Sequence, residues 1–201
     1  MARKKKNSLR DLSRKNPDHD EVKEIFSSLH ALSPIAAAIL GVGLIEQELE
    51  TMLRNRFQRN DDETFALLTQ QEGPMTSFHQ MIILGYAFRL YGTDIRDNLN
   101  IVRRIRNYFA HTRRVTDFEH SLVLDEFAKV ILPKKPKNSY EYRALLSVKE
   151  GGGSGQQKYA ILTGALTNML AKRDLETIRA SYKRWRKKAK EAGVDVDKYS
   201  I

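Results

Sequence analysis

The chain has no cysteine in its 201 residues, which removes disulfide staples and thiolate metal sites and is compatible with a reducing compartment. Long apolar runs are also missing. The longest, Pro34 to Ile45, covers 12 residues and stops at Glu46, short of the roughly 20 that span a bilayer. No apolar stretch follows the basic first residues, so a secretory signal is not expected, and a cytoplasmic protein without membrane attachment is. The single glycine run, Gly151 to Gly155, lacks the Lys-Ser/Thr pair and the preceding strand of a phosphate-binding loop. No His-Glu-x-x-His segment occurs, and Asp117 to His120 is only a weak i,i+3 pair, so neither a metal nor a cofactor is expected. Nucleophile-elbow and helix-turn-helix patterns are not evident.

What the chain does carry is positive charge, placed at its ends. Residues 1–16 hold seven Lys/Arg against one acid, and residues 172–201 hold ten against five, whereas residues 17–171 come to −1 within a total of +10. Segments of this kind raise affinity for polyanions through counterion release, without sequence specificity. For the N-terminal one, a purely solubilising tail is an equal reading.

Helical spacing of apolar residues runs through most of the remainder. Residues 1–16 are too polar and like-charged to bury a core and read as a disordered tail. Asp18 or Asp20 can cap a short helix, and Ser33-Pro34 opens a long one to about Arg56 with the stripe Ile35, Ile39, Val42, Ile45, Leu49 and Leu53. Gly41 and Gly43 allow close approach of a neighbour on that helix. Helices are also expected over Asp61–Gln70, over Thr76–Tyr91, after an Asp117 cap, from Gln156 to about Ala171, and from Asp174 onward. Tyr140 to Val148 reads as a short helix or an extended piece, and Gly151–Gly155 reads as a flexible connector, native or introduced. The expected organisation is a tail (1–16), a helical bundle (17–172) and a basic C-terminal helix with its tail (173–201).

The most informative stretch is Asp97 to His111. Ile101, Val102, Ile105, Tyr108 and Phe109 share one face, while Arg103, Arg104, Arg106, Asn107 and His111 occupy the rest, with no acid after Asp97. Like charges at i,i+4 do not support each other, so another element, subunit or polyanion should meet these arginines. Glu46 breaks the apolar stripe of the long helix and needs a cation or donors, which makes Arg106 a candidate partner. On the last helix, Arg179, Lys183, Arg184, Arg186, Lys187 and Lys188 surround Leu175, Ile178, Tyr182 and Trp185. That pattern suits phosphate contact with base stacking, and it equally suits docking of Trp185 onto the body.

Arg106 and His111 could in principle hold a phosphate and move a proton, which is sufficient for metal-free RNA cleavage through the 2′-hydroxyl. Residues five apart on an unbroken helix differ by about 140°, so such chemistry requires a helix end before His111 or a second copy of the chain.

Ile105-Arg106-Asn107-Tyr108-Phe109-Ala110-His111 resembles the Arg-x4-6-His signature of the HEPN superfamily. The ordered set Ala38-Ile39-Leu40-Gly41, Leu44-Ile45-Glu46, Gly73-Pro74-Met75-Thr76-Ser77-Phe78, Tyr86-Ala87 and that motif more closely resembles the mannitol repressor family. The likeness covers about residues 22–132 and the helix at Tyr159 to Lys172. It implies an all-α bundle with an HEPN-like core, a homodimer, and transcriptional regulation without a conventional DNA-reading motif. By resemblance to HEPN ribonucleases, Arg106 and His111 would be catalytic, with Asn107 in support; Glu46, from its place on the apolar stripe, would support the site by ordering the arginine. The expected function is a non-enzymatic regulator whose tails contact nucleic acid, RNA or DNA, or a regulatory protein, with Arg103, Arg104 and the basic residues around Trp185 as the nucleic-acid contacts. The alternative is a metal-independent endoribonuclease using Arg106 and His111.

Overall fold

Ser33 starts the organising helix: its side chain accepts the Ala36 amide, and Pro34 takes the first helical position, where its missing donor costs nothing. The computed structural model describes residues 19–57, 59, 61–70, 72–114, 116–134 and 137–192. The expected N-terminal tail and the Asp18 cap lie outside the described residues. Within them the chain is all helical: α1 (His19–Ser28), α2 (Pro34–Arg54), α3 (Asp62–Thr69), α4 (Phe78–Ala87), α5 (Thr93–His111), α6 (Ser121–Ala128), α7 (Tyr140–Glu150) and α8 (Gly155–Glu191). A 3-10 turn, Leu29–Ala31, joins α1 to α2.

The core lies between α2, α5 and α8, with α4 closing α2 and α5 and α7 packed along α8. Leu49, Leu53, Leu99, Val102, Leu162 and Leu166 are fully buried in it. An aromatic line crosses the bundle: Phe109 lies 4.4 Å from Phe118, and Phe118 lies 5.0 Å from Tyr159. The Tyr159 hydroxyl donates to the Ala38 carbonyl at 2.8 Å, which satisfies a buried donor and ties α8 to α2. Asn98, also fully buried, accepts from the Ile131 amide and donates to the Ile131 carbonyl, each at 2.8 Å.

Several sequence expectations change. The buried face of α2 is turned away from Ile35 and Ile39, which are 46% and 52% exposed, and centres on Ala37, Ala38, Gly41, Val42, Ile45 and Leu49. The cause is close approach: a Cβ on Gly41 would stand 3.0 Å from the Tyr159 ring, so small residues rather than isoleucines face α8. Gly43 has open space around it instead of a neighbour. His120, not Asp117, caps α6, its Nδ1 accepting the Leu122 amide; Asp117 accepts the Glu119 amide two residues earlier.

Tyr140–Glu150 resolves as a helix capped by Ser139. The last two expected helices are one. No break occurs at Asp174, because that residue is buried mid-helix, accepting from Asn55 Nδ2 at 2.8 Å and Arg56 Nη2 at 3.5 Å. The glycine run forms a defined turn into α8. A Cβ on Gly151 would sit 2.3 Å from the Ser147 carbonyl and one on Gly155 2.2 Å from the Phe118 carbonyl, and Gly153 has φ +107°. The Gly155 amide donates to Glu119 at 2.6 Å, and Ser154 caps α8 with a reciprocal bond from Gln157.

Candidate functional site

The arginine-rich helix α5 buries Ile95, Asn98, Leu99, Ile101, Val102, Ile105 and Phe109 on one face, which leaves its arginines along the edges and outer side. Two of the three central arginines meet acids from neighbouring helices. Arg104 reaches α6, placing Nε at 2.8 Å and Nη2 at 2.6 Å from Glu126 Oε2, and Lys129 completes that cluster at 2.6 Å. Arg106 reaches α2, with Nη2 3.5 Å from Glu46 Oε1. Arg103 Nε donates to Asn100 within its own helix at 3.2 Å. The missing acids of the sequence are thus supplied across the bundle.

The Glu46–Arg106 pair is half-buried where α2 and α5 meet α8. Burial pushes the Glu46 carboxyl above its ordinary value, Arg106 pulls it down, Glu50 pushes it up again, and the net direction is upward. The Tyr159 hydroxyl feels both charges, and its own burial raises it far above the phenol range. Burial also raises the Glu126 carboxyl, but its bonds to Arg104 and Lys129 outweigh that and hold it below its usual range.

His111 is the last residue of α5, still helical, and exposed. The helix therefore does not end before it, and Arg106 and His111 stand about 140° apart around one axis. Within one chain they flank opposite sides of the buried stripe. Asn107, half-buried, lies four residues before His111 on its side of the helix. Tyr108 between them bonds Thr116 at 2.7 Å and packs its ring 5.5 Å from His120, fixing the helix end to the following loop.

The remaining predicted contact residues lie elsewhere. Arg179, Lys183, Arg184, Trp185, Arg186, Lys187 and Lys188 belong to the outer part of α8, beyond the Asp174 anchor, and all are exposed. Sequence reasoning missed that anchor: Asp174, Asn55 and Arg56 come from α8 and the end of α2, and no spacing within either segment signals their meeting. It also missed the cleft between the start of α5, the 131–134 segment and α8, where Glu141 receives Lys172 and, at 3.0 Å, Asn168.

No group of three or more His, Asp or Glu among the described residues could hold a metal ion, and no helix among them is long and apolar enough to cross a membrane. No family model matches the chain, and no curated protein matches it. Among solved structures, a chain of the X-ray structure of the MtlR–HPr complex from Escherichia coli is similar, at 18% identity and a TM-score of 0.50. That likeness covers 76% of this chain and 97% of the other. It shows a mannitol-repressor-like, all-α fold.

Proposed function

We propose that this chain is a mannitol-repressor-like, non-enzymatic regulator of the cytoplasm that acts as a homodimer and contacts an acidic macromolecule through its basic segments. The observation that carries the reading is the engagement of Arg106 by Glu46 while His111 stands on the other side of α5. Arg106 then serves the packing of the helical body, and Arg106 and His111 are not brought together for metal-free RNA cleavage within one chain. Self-association is supported by Ile35, Ile39 and Leu40, which a single chain leaves exposed on the outer face of α2. Polyanion contact is supported by the seven Lys/Arg against two acids over residues 175–191.

Equilibrium sedimentation tests the first part: the full chain is expected at twice its monomer mass, and a monomer at micromolar concentration overturns the dimer. Binding to polyglutamate and to a 20-bp duplex tests the second. Affinity for an acidic polymer should fall steeply with salt, and further with Lys183→Glu, Arg184→Glu and Lys187→Glu combined. Binding indifferent to both overturns the reading.

A further inference from the structure

The first half of α2, from Pro34 to Gly43, contains no charged side chain. At about 100° per residue, Ile35, Ala36, Ile39, Leu40 and Gly43 fall within about 140° of arc, on the side turned away from Tyr159. Ile35, Ile39 and Leu40 are each more than two-fifths exposed, and Ala36 is half-buried between them. Gly43 is exposed, and among the described residues nothing stands within 4 Å of where its Cβ would lie. Glu46, Gln47 and Glu50 continue the same strip toward the helix end. A solvated helix face normally carries charge, so this one asks for an apolar cover.

The charge and size pattern selects the cover. Nucleic acid finds no cation on the strip and offers it no aliphatic surface. Residues 1–16 hold seven Lys/Arg and only Met1, Leu9 and Leu12 as large apolar side chains, too few to cover three exposed aliphatics. A second copy of α2, laid antiparallel across a twofold axis between Ile39 and Leu40, meets both requirements. Ala36 and Gly43 are seven residues apart, about two turns, and point the same way. In that register each Ala36 faces Gly43 of the second copy, so the backbones can approach closely while Ile39 and Leu40 interlock across the axis. The same register sets Glu46 and Gln47 over the first turn of the second copy's α2. That turn carries no acid, so the positive end of its helix dipole is free to meet Glu46. A parallel pairing would instead set Glu46 against Glu46 and Glu50 against Glu50, like charge on like charge.

We infer that two copies of this chain pair antiparallel through the first half of α2, with Ala36 of each copy opposite Gly43 of the other. This names the surface of the homodimer proposed above and rests on that reading. Burial of Ile35, Ile39 and Leu40 supplies affinity, and the small pair with the acidic end of the strip supplies direction.

The chain has no cysteine, so introduced thiols report the pairing without background. The test compares the full chain carrying Ala36→Cys, Gly43→Cys or both, oxidised with copper–phenanthroline and resolved on a non-reducing gel. In the inferred register, like positions lie about 10 Å apart along the axis, beyond the roughly 7 Å that a disulfide bridges, whereas 36 and 43 face each other. The double variant should therefore become a covalent dimer at least tenfold faster than either single variant. Ile39→Glu should weaken the dimer at least tenfold by equilibrium sedimentation, with unchanged helical circular dichroism. Single variants that crosslink as fast as the double one overturn the inference, as does Ile39→Glu that dimerises normally. A chain that sediments as a dimer while the double variant fails to crosslink overturns the surface and leaves the homodimer reading standing. A monomer at micromolar concentration overturns both.

Discussion

Arg106 Nη2 stands 3.5 Å from Glu46 Oε1, joining α5 to α2 at the edge of the core. At this long contact the guanidinium does not offset burial, so the carboxyl remains above its ordinary 4.5. A carboxyl raised in the folded state binds its proton more tightly there than in the unfolded chain. Its contribution to stability is therefore largest at low pH and falls as pH rises through the folded value.

Arg106→Ala should raise that carboxyl further and cost about 1–2 kcal/mol at neutral pH, because it leaves a half-buried acid without its cation. The loss should shrink as pH falls toward 4.5 and Glu46 is protonated. Urea denaturation of the variant across pH 4 to 8 checks this, and a loss independent of pH would show that Arg106 contributes through packing alone.

Asn98→Leu should cost about 1–2 kcal/mol, since it strands the part-buried amide and carbonyl of Ile131, each held at 2.8 Å. Asn98→Asp should be worse above the carboxylate range, where the new charge faces the Ile131 carbonyl. Thermal melts at pH 7 rank the two, and a neutral Asn98→Leu would mean that the 131–134 segment does not depend on this bridge.

Gly155→Ala should destabilise by about 2 kcal/mol or more, because its Cβ would meet the Phe118 carbonyl at 2.2 Å and backbone must move. Gly152→Ala, with nothing within 4 Å, should be neutral. Paired melts distinguish a built turn from a flexible tether. Equal effects at the two positions would favour the tether.

How far the fold could be read from the sequence depended on whether the deciding physics was local. Ser33-Pro34 at the start of α2 and Asp61 at the start of α3 are legible because capping acts within three residues. The Glu46–Arg106 pair was legible because a carboxylate on an apolar stripe must find a cation. The rotation of α2 was not, since it depends on how closely Tyr159 approaches Gly41 from more than a hundred residues away. The single run of α8 through Asp174 was hidden for the same reason: an aspartate followed by a new apolar pattern looks like a cap until Asn55 and Arg56 are seen to hold it. At the candidate site, the residues were legible and their partners only in part. Glu126, which engages Arg104, lies 22 residues away on another helix, and nothing in the arginine stretch points to it.

Arg106 is tied into the bundle by Glu46, while His111 stands exposed on the other side of α5. The most direct test is incubation of the full chain with a structured RNA in EDTA, beside His111→Ala, with the RNA products resolved on a denaturing gel. Intact RNA with both proteins is the predicted result; cleavage by the unsubstituted chain that disappears with His111→Ala would contradict it.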